Sequence, residues 1–141
     1  AQPRFPLRQG RLAEMIAVDT SALMAIVLDE KEADACIAAL EAEDTILISA
    51  GTVAEALIVS AQRNVGVEVA GLIDGLGFEI VNVTLGSAQR IAEAYARWGK
   101  GVHRAALNFG DCFAYELAKE NSCRLLYVGN DFSKTDIDSA F

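Results

Sequence analysis

At 141 residues the chain has the length of one ordinary domain, enough to bury about two-thirds of the surface its unfolded form exposes. Apolar residues make up 52% of it and proline occurs only twice, which excludes a disordered or low-complexity chain. Twenty acids against twelve bases give a formal charge of −8, so the molecule repels phosphate as a whole, and an anionic substrate would need a local device to bind.

Every apolar stretch is broken by charge well before about 18 residues, which excludes a membrane-spanning helix by length. Nor does a basic start lead into an apolar run with a small-residue cleavage site. Cys36, Cys112 and Cys123 form no C-x-x-C pair and are odd in number, so neither a zinc site nor a disulfide framework is indicated. These features read as a cytoplasmic domain. Residues 1–14 hold both prolines, three arginines and one glutamate without any period, and read as an N-terminal tail, either an appended remnant or an extended start. The domain proper is then 15–141. Without the three arginines and one glutamate of the tail its charge moves from −8 to −10.

Met15-Ile16-Ala17-Val18 predicts a buried strand running into a helix cap at Asp19-Thr20-Ser21, with the helix over 22–28. Asp29-x-x-Glu32 offers a cap for a second helix to about 43. Ile46-Leu47-Ile48 predicts the second strand. The segment 49–63 is a helix of small and apolar residues in which Glu55 is the only charge before Arg63, and such a helix is expected to be covered on most sides. A short helix over 66–77 and a third strand over 79–83 follow. Ile91, Ala94, Tyr95 and Trp98 fall at i, i+3, i+4 and i+7 on an amphipathic helix that stops at Gly99. Asn108 caps a helix carrying Phe113, Ala114, Leu117 and Ala118 on one face, and a fourth strand over 124–128 ends in the Gly129-Asn130-Asp131 turn. Strands and helices alternate throughout, so the expected fold is a three-layer α/β/α sandwich with a mainly parallel sheet.

In such folds ligands bind beyond the carboxyl ends of the strands. The residues there are Asp19, Glu55, Asp111 and Asp131, all carboxylates. Gathered at one rim they would repel one another, and a hard divalent cation with oxygen ligands, Mg²⁺ or Mn²⁺, is the usual relief. Each acid also has a plainer explanation. Asp19 can be an N-cap, Glu55 the end of a Thr52-x-x-Glu55 capping box, Asp111 a helix-start acid after Asn108, and Asp131 a turn residue. Against the capping box stands the cost of a lone carboxylate in so apolar a helix.

An apolar strand ending in Asp19-Thr20-Ser21-Ala22, a mid-chain Glu55 on a small-residue helix, Leu107-Asn108-Phe109-Gly110-Asp111-Cys112 and finally Leu125-Leu126-Tyr127-Val128-Gly129-Asn130-Asp131-Phe132, in that order, resembles the PIN-domain ribonucleases. More narrowly it resembles the VapC-type toxins of bacterial toxin–antitoxin pairs. The resemblance covers Met15 to the end of the chain. It implies that Asp19, Glu55 and Asp111 hold a catalytic metal, with a fourth acid near the last strand completing the site. It also implies a homodimer and a cognate VapB-type antitoxin. At the fourth position the chain departs from the family pattern: Gly129 replaces a hydroxyl residue and Phe132 follows Asp131 at once, so Asp136 competes with Asp131.

The expected activity is metal-dependent endoribonuclease cleavage of RNA phosphodiester bonds, inhibited by the antitoxin. Asp19 and Asp111 bind Mg²⁺ (or Mn²⁺) directly or through one water, Glu55 ligates or orients an adjacent water, and Asp131 helps place it for in-line attack. Cys112 reads as helix packing rather than a nucleophile. The anion-binding device is the segment 89–104, where Arg90, Arg97, Lys100 and Arg104 face Glu93 alone. Lys100 and Arg104 are the RNA-binding candidates, with Trp98 nearby for stacking; a solvated helix face is the plainer reading. Two other classes stay open: a catalytically silent acidic α/β partner-binding domain, and a receiver-like signalling module, for which the lone Asp19 and the mid-chain Glu55 are a poor match.

Overall fold

The computed structural model describes residues 7–8, 11–12 and 15–141. Two short strands, β1 (Leu7–Arg8) and β2 (Arg11–Leu12), pair antiparallel. The remainder of the tail expected over 1–14 lies outside the described residues.

Four parallel strands form the main sheet: β3 (Met15–Val18), β4 (Thr45–Ser49), β5 (Glu79–Val81) and β6 (Arg124–Leu126), in the order β5-β4-β3-β6. Between them run α1 (Thr20–Val27), α2 (Ala33–Glu41), α3 (Ala50–Gln62), α4 (Gly66–Gly75), α5 (Leu85–Trp98) and α6 (Phe109–Glu120). Strand residues alternate between two cores, as the period of two requires. Ile16, Val18, Ile46, Ile48 and Leu126 join Leu23, Cys36, Leu40, Val69 and Ile73 of α1, α2 and α4. Ala17, Leu47 and Leu125 join Ile91, Trp98, Tyr115 and Leu117 of α5 and α6. Both faces of the sheet are therefore covered, which is the expected three-layer α/β/α sandwich.

Local differences from the sequence reading have local causes. Asp29 does not cap α2. It stands in the left-handed region at φ 52, where its amide donates to the Ile26 carbonyl at 3.2 Å and ends α1, so α2 starts only at Ala33 and has no side-chain cap. The third and fourth strands stop at Val81 and Leu126, before the chain turns off the sheet. Nor is α3 covered on most sides, since Ile58 is 61% exposed and Leu57 is exposed as well. A β-carbon at Gly51 would overlap the Phe113 ring, so a glycine in the first turn of α3 permits the close approach of α6. That contact brings the two helices carrying Glu55 and Asp111 together.

Candidate active site

The carboxyl edge of the sheet gathers side chains from four separate segments. Asp19 follows β3 directly and its amide donates to the Leu126 carbonyl at 3.0 Å, so the residue is fixed between β3 and β6. It is the N-cap of α1, and one carboxylate oxygen, Oδ2, accepts from the Ser21 amide at 3.1 Å and the Ser21 hydroxyl at 2.7 Å. Ser21 in turn accepts from the Val128 amide at 3.0 Å, which ties the cap to the end of β6. The other oxygen, Asp19 Oδ1, is buried without a hydrogen-bond partner. Only 4% of Asp19 is exposed, and this desolvation pushes its carboxyl up to about 6, with the Glu55 charge adding to the effect.

Asp111 lies in the first turn of α6 and forms a reciprocal capping box with Asn108: Asp111 Oδ2 accepts from the Asn108 amide at 3.0 Å, and the Asp111 amide donates to Asn108 Oδ1 at 2.8 Å. At 7% exposure it too is desolvated. Burial, with the charges of Asp19, Asp131 and Glu55 behind it, raises its carboxyl to about 7.

Glu55 is not the end of a capping box. Ser49 caps α3 by accepting from the Gly51 amide at 3.1 Å, and Thr52 is buried inside the helix with its hydroxyl unpaired. The partner of Glu55 comes from another helix: the Thr20 hydroxyl donates to Glu55 Oε1 at 2.6 Å. A β-carbon at Gly110 would overlap the Glu55 carboxylate, so Glu55 rests against the backbone immediately before Asp111.

The structure thus places Asp19, Glu55 and the exposed Asp131 where each acts electrostatically on Asp111, and Glu55 where it also acts on Asp19. Asp136 is elsewhere: it accepts from the Tyr115 hydroxyl at 2.5 Å and from Lys119 Nζ at 3.2 Å. Desolvation works to raise its carboxyl, but those two hydrogen bonds and the charges of Lys119 and Arg97 bring it below the usual range.

The segment 89–104 is only partly free. Arg90 pairs with Glu116 at 3.1 Å and Glu120 at 3.2 Å, and Arg97 lies over the Trp98 ring at 4.5 Å and within 3.9 Å of Asp136. Lys100 and Arg104 are exposed on a loop closed by the Lys100 amide on the Leu107 carbonyl at 2.9 Å, directly before the Asn108 cap. Trp98 is not a stacking surface. It is 8% exposed, and its indole N–H donates to the Tyr115 hydroxyl at 2.9 Å. His103 shapes the loop by accepting from the Ala105 amide at 3.0 Å. Cys112 is fully buried, and desolvation holds its thiol up at about 11, as packing rather than nucleophilic chemistry requires.

Thr20 and Ser21 are the site residues that sequence reading missed. Both were counted as cap residues, yet one holds Glu55 and the other Asp19. A hydroxyl pair directly after a strand-end acid is the signal that could have found them. As it stands, no group of three or more His, Cys, Asp or Glu side chains among the described residues could hold a metal ion alone. The arrangement instead offers two desolvated carboxylates of raised pKa, one of them with a buried oxygen lacking any donor. That oxygen set fits a hard cation which keeps some of its own water.

Residues 16–138, which contain this sandwich and its acidic rim, match the PIN domain family model. The chain belongs to the PIN-domain family. Among its relatives, VapC ribonuclease Mb0640 of Mycobacterium bovis is 40% identical over 125 residues, covering 86% of this chain and 95% of that protein. Ribonuclease VapC36 of Mycobacterium tuberculosis is 42% identical over 125 residues, covering 86% and 90%. Among solved structures, Mycobacterium tuberculosis VapC20, described as a sarcin–ricin loop cleaving toxin, superposes with a TM-score of 0.71 at 16% identity over 86% of this chain and 95% of its own. A toxin–antitoxin complex from Klebsiella pneumoniae gives 0.66 at 19% identity over 89% and 98%. At those identities the two structures speak to the fold.

Proposed function

We propose that this chain is a metal-dependent endoribonuclease toxin that hydrolyses RNA phosphodiester bonds. The observation that carries the reading is the convergence of Asp19, Glu55, Asp111 and Asp131 on one rim with Asp19 Oδ1 buried and unpartnered. Relatives at about 40% identity that are named VapC ribonucleases support it.

Asp19, through Oδ1, and Asp111, through the oxygen that the capping box leaves free, would hold a Mg²⁺ or Mn²⁺ ion. When bound, the ion supplies Lewis-acid polarisation of phosphate oxygens and a more acidic water. Glu55 Oε1 is fixed by Thr20, which leaves Oε2 to accept a hydrogen bond from the attacking water and orient it. Asp131, exposed at the mouth, helps place that water in line. Lys100 and Arg104 make no ion pair with a described residue and contact the RNA backbone beside the α6 start. This reading is favoured over a catalytically silent or receiver-like module, because two buried carboxylates, Asp19 and Asp111, held at raised pKa beside two further acids have no evident use without a cation.

The same reading assigns a cytoplasmic setting, a homodimer and a basic antitoxin. A body of charge −10 suits a basic partner. A cavity of about 280 Å³ lined by Gly51, Ala54, Glu55, Ile58, Phe109 and Phe113 puts an apolar surface beside the acids. Phe109, 70% exposed, is the part of it most open to a partner side chain. No helix among the described residues is long and apolar enough to cross a membrane.

The test is to incubate purified protein with total cellular RNA and Mg²⁺ and to map new ends by sequencing. Defined cleavage sites that vanish with chelator and with Asp111→Asn are expected. Cleavage that survives both would overturn the reading.

A further inference from the structure

We propose that Tyr115 and Asp136 are positioning residues that fasten the turn bearing Asp131 onto α6, the helix that also carries Asp111. The inference rests on the role given to Asp131 above. It arises from the way the chain leaves β6. After Leu126 the backbone passes through Gly129 at φ +103, makes a single 3-10 turn over Phe132–Lys134, and returns to β6, where Leu125 donates to the Asp138 carbonyl at 2.8 Å and accepts from the Ala140 amide at 3.0 Å. Asp131 sits on the outward limb of this loop and is exposed. Its own side chain has no hydrogen bond among the described residues, so its place depends on what holds the loop.

Besides that backbone pairing with β6, two side-chain anchors hold it. Phe132 is 2% exposed and packs against Tyr127 with ring centroids 5.1 Å apart. The second anchor is Asp136, whose two carboxylate oxygens are taken separately: Oδ1 by the Tyr115 hydroxyl at 2.5 Å and Oδ2 by Lys119 at 3.2 Å, with Arg97 at 3.9 Å. Asp111, Tyr115 and Lys119 stand at i, i+4 and i+8, one row along α6. The row that begins with the buried acid therefore ends in the clamp on the loop that brings the exposed acid to it. A chain of hydrogen bonds fixes the clamp, from the Trp98 indole N–H to the Tyr115 hydroxyl at 2.9 Å and on to Asp136. The Asp136–Lys119 pair alone, at the surface, would contribute little. The short bond from a buried phenol to a carboxylate is the strong element. Simple satisfaction of the Trp98 N–H would need Tyr115 but not Asp136, and both oxygens of Asp136 being engaged leaves Asp131 as the acid open to the site.

A double-mutant cycle separates positioning from general support. Cleavage rates at saturating Mg²⁺, on an RNA site mapped with the unmodified protein, are measured for Tyr115→Phe, Asp131→Asn and the double variant, together with each melting temperature. Tyr115→Phe is expected to slow cleavage about tenfold by letting the turn drift, and Asp131→Asn more severely. In the Asp131→Asn background the Tyr115→Phe penalty should shrink to less than about twofold. A full, additive tenfold penalty in the double variant would overturn the proposal. So would an Asp131→Asn variant that cleaves normally; that result leaves the ribonuclease reading intact, since the latter is decided by Asp111→Asn. If Tyr115→Phe does not fold, Asp136→Ala, which leaves the phenol without its acceptor, replaces it in the same cycle with the same two outcomes.

Discussion

Thr20 and Glu55 stand 35 residues apart in the chain, yet the Thr20 hydroxyl donates to Glu55 Oε1 at 2.6 Å. Helix α1 thereby orients the only acid on α3 toward the two acids that α1 and α6 begin with. The relationship explains how a carboxylate is tolerated in so apolar a helix: it is hydrogen-bonded at one oxygen and faces the site with the other.

Removing that hydroxyl while keeping the shape should therefore impair catalysis more than folding. Thr20→Val is expected to lower the cleavage rate about tenfold and to cost about 1 kcal/mol of stability. Thr20→Ser keeps the donor and should retain most of the activity. Parallel rate and thermal-unfolding measurements check this; equal losses in both variants would show that the methyl group matters and the hydrogen bond does not.

Gly110 makes a second, steric prediction. Helix propensity alone favours alanine over glycine by up to about 1 kcal/mol inside a helix, and at Gly71 on α4 nothing lies within 4 Å of an added β-carbon. Gly71→Ala should raise the melting temperature slightly without changing activity. Gly110→Ala puts its methyl group into the Glu55 carboxylate and should lower cleavage about a hundredfold, with little change in melting temperature.

The raised pKa values make the metal-free protein pH-sensitive in a definite direction. The Asp111 carboxyl titrates at about 7 when folded, against an ordinary value of 3.8, so between these limits the folded state binds a proton that the unfolded state has released. Stability from this group is therefore complete below about pH 4 and is lost as pH rises toward 7; Asp19, at about 6, acts in the same sense. Asp111→Asn removes the burden and keeps an oxygen for the Asn108 amide. In chelator it should raise the melting temperature by a few degrees at pH 8, about 1–2 kcal/mol, and by almost nothing at pH 4.5. A uniform shift at both pH values would contradict the assignment.

Cation binding should supply the same relief to the unmodified protein. Mg²⁺ titrated at pH 8 is expected to raise its melting temperature by mass action and to leave that of Asp19→Asn nearly unchanged. Equal stabilisation of both would place the ion elsewhere.

Much of this was legible in the residues. Short β-branched runs ending in Asp19 and Ser49, and a capping asparagine three residues before Asp111, follow local rules of period and capping, so the sheet and three of the acids could be placed from sequence. What escaped notice depends on contacts between distant segments. Thr20 reads as a cap residue until α3 lies against α1, and Thr52-x-x-Glu55 reads as a capping box until Ser49 is found to start the helix. Trp98, apparently free for stacking, is consumed by Tyr115 seventeen residues on. The helix over 49–63 reads as covered on most sides, yet Ile58 is open, because an apolar helix carries no mark saying which of its faces the fold leaves uncovered. Asp136 competes with Asp131 in the sequence, and its engagement by Tyr115 and Lys119 is visible only in the folded chain.

The central claim is that Asp19 and Asp111 share a cation at the carboxyl edge of the sheet, and anomalous diffraction from crystals grown in Mn²⁺ tests it most directly. The account predicts an anomalous peak at ligand distance, or one water away, from Asp19 Oδ1 and an Asp111 oxygen, lost in the Asp111→Asn variant. A fully occupied peak at Asp136, or none at the four acids under conditions where the protein cleaves RNA, would contradict it.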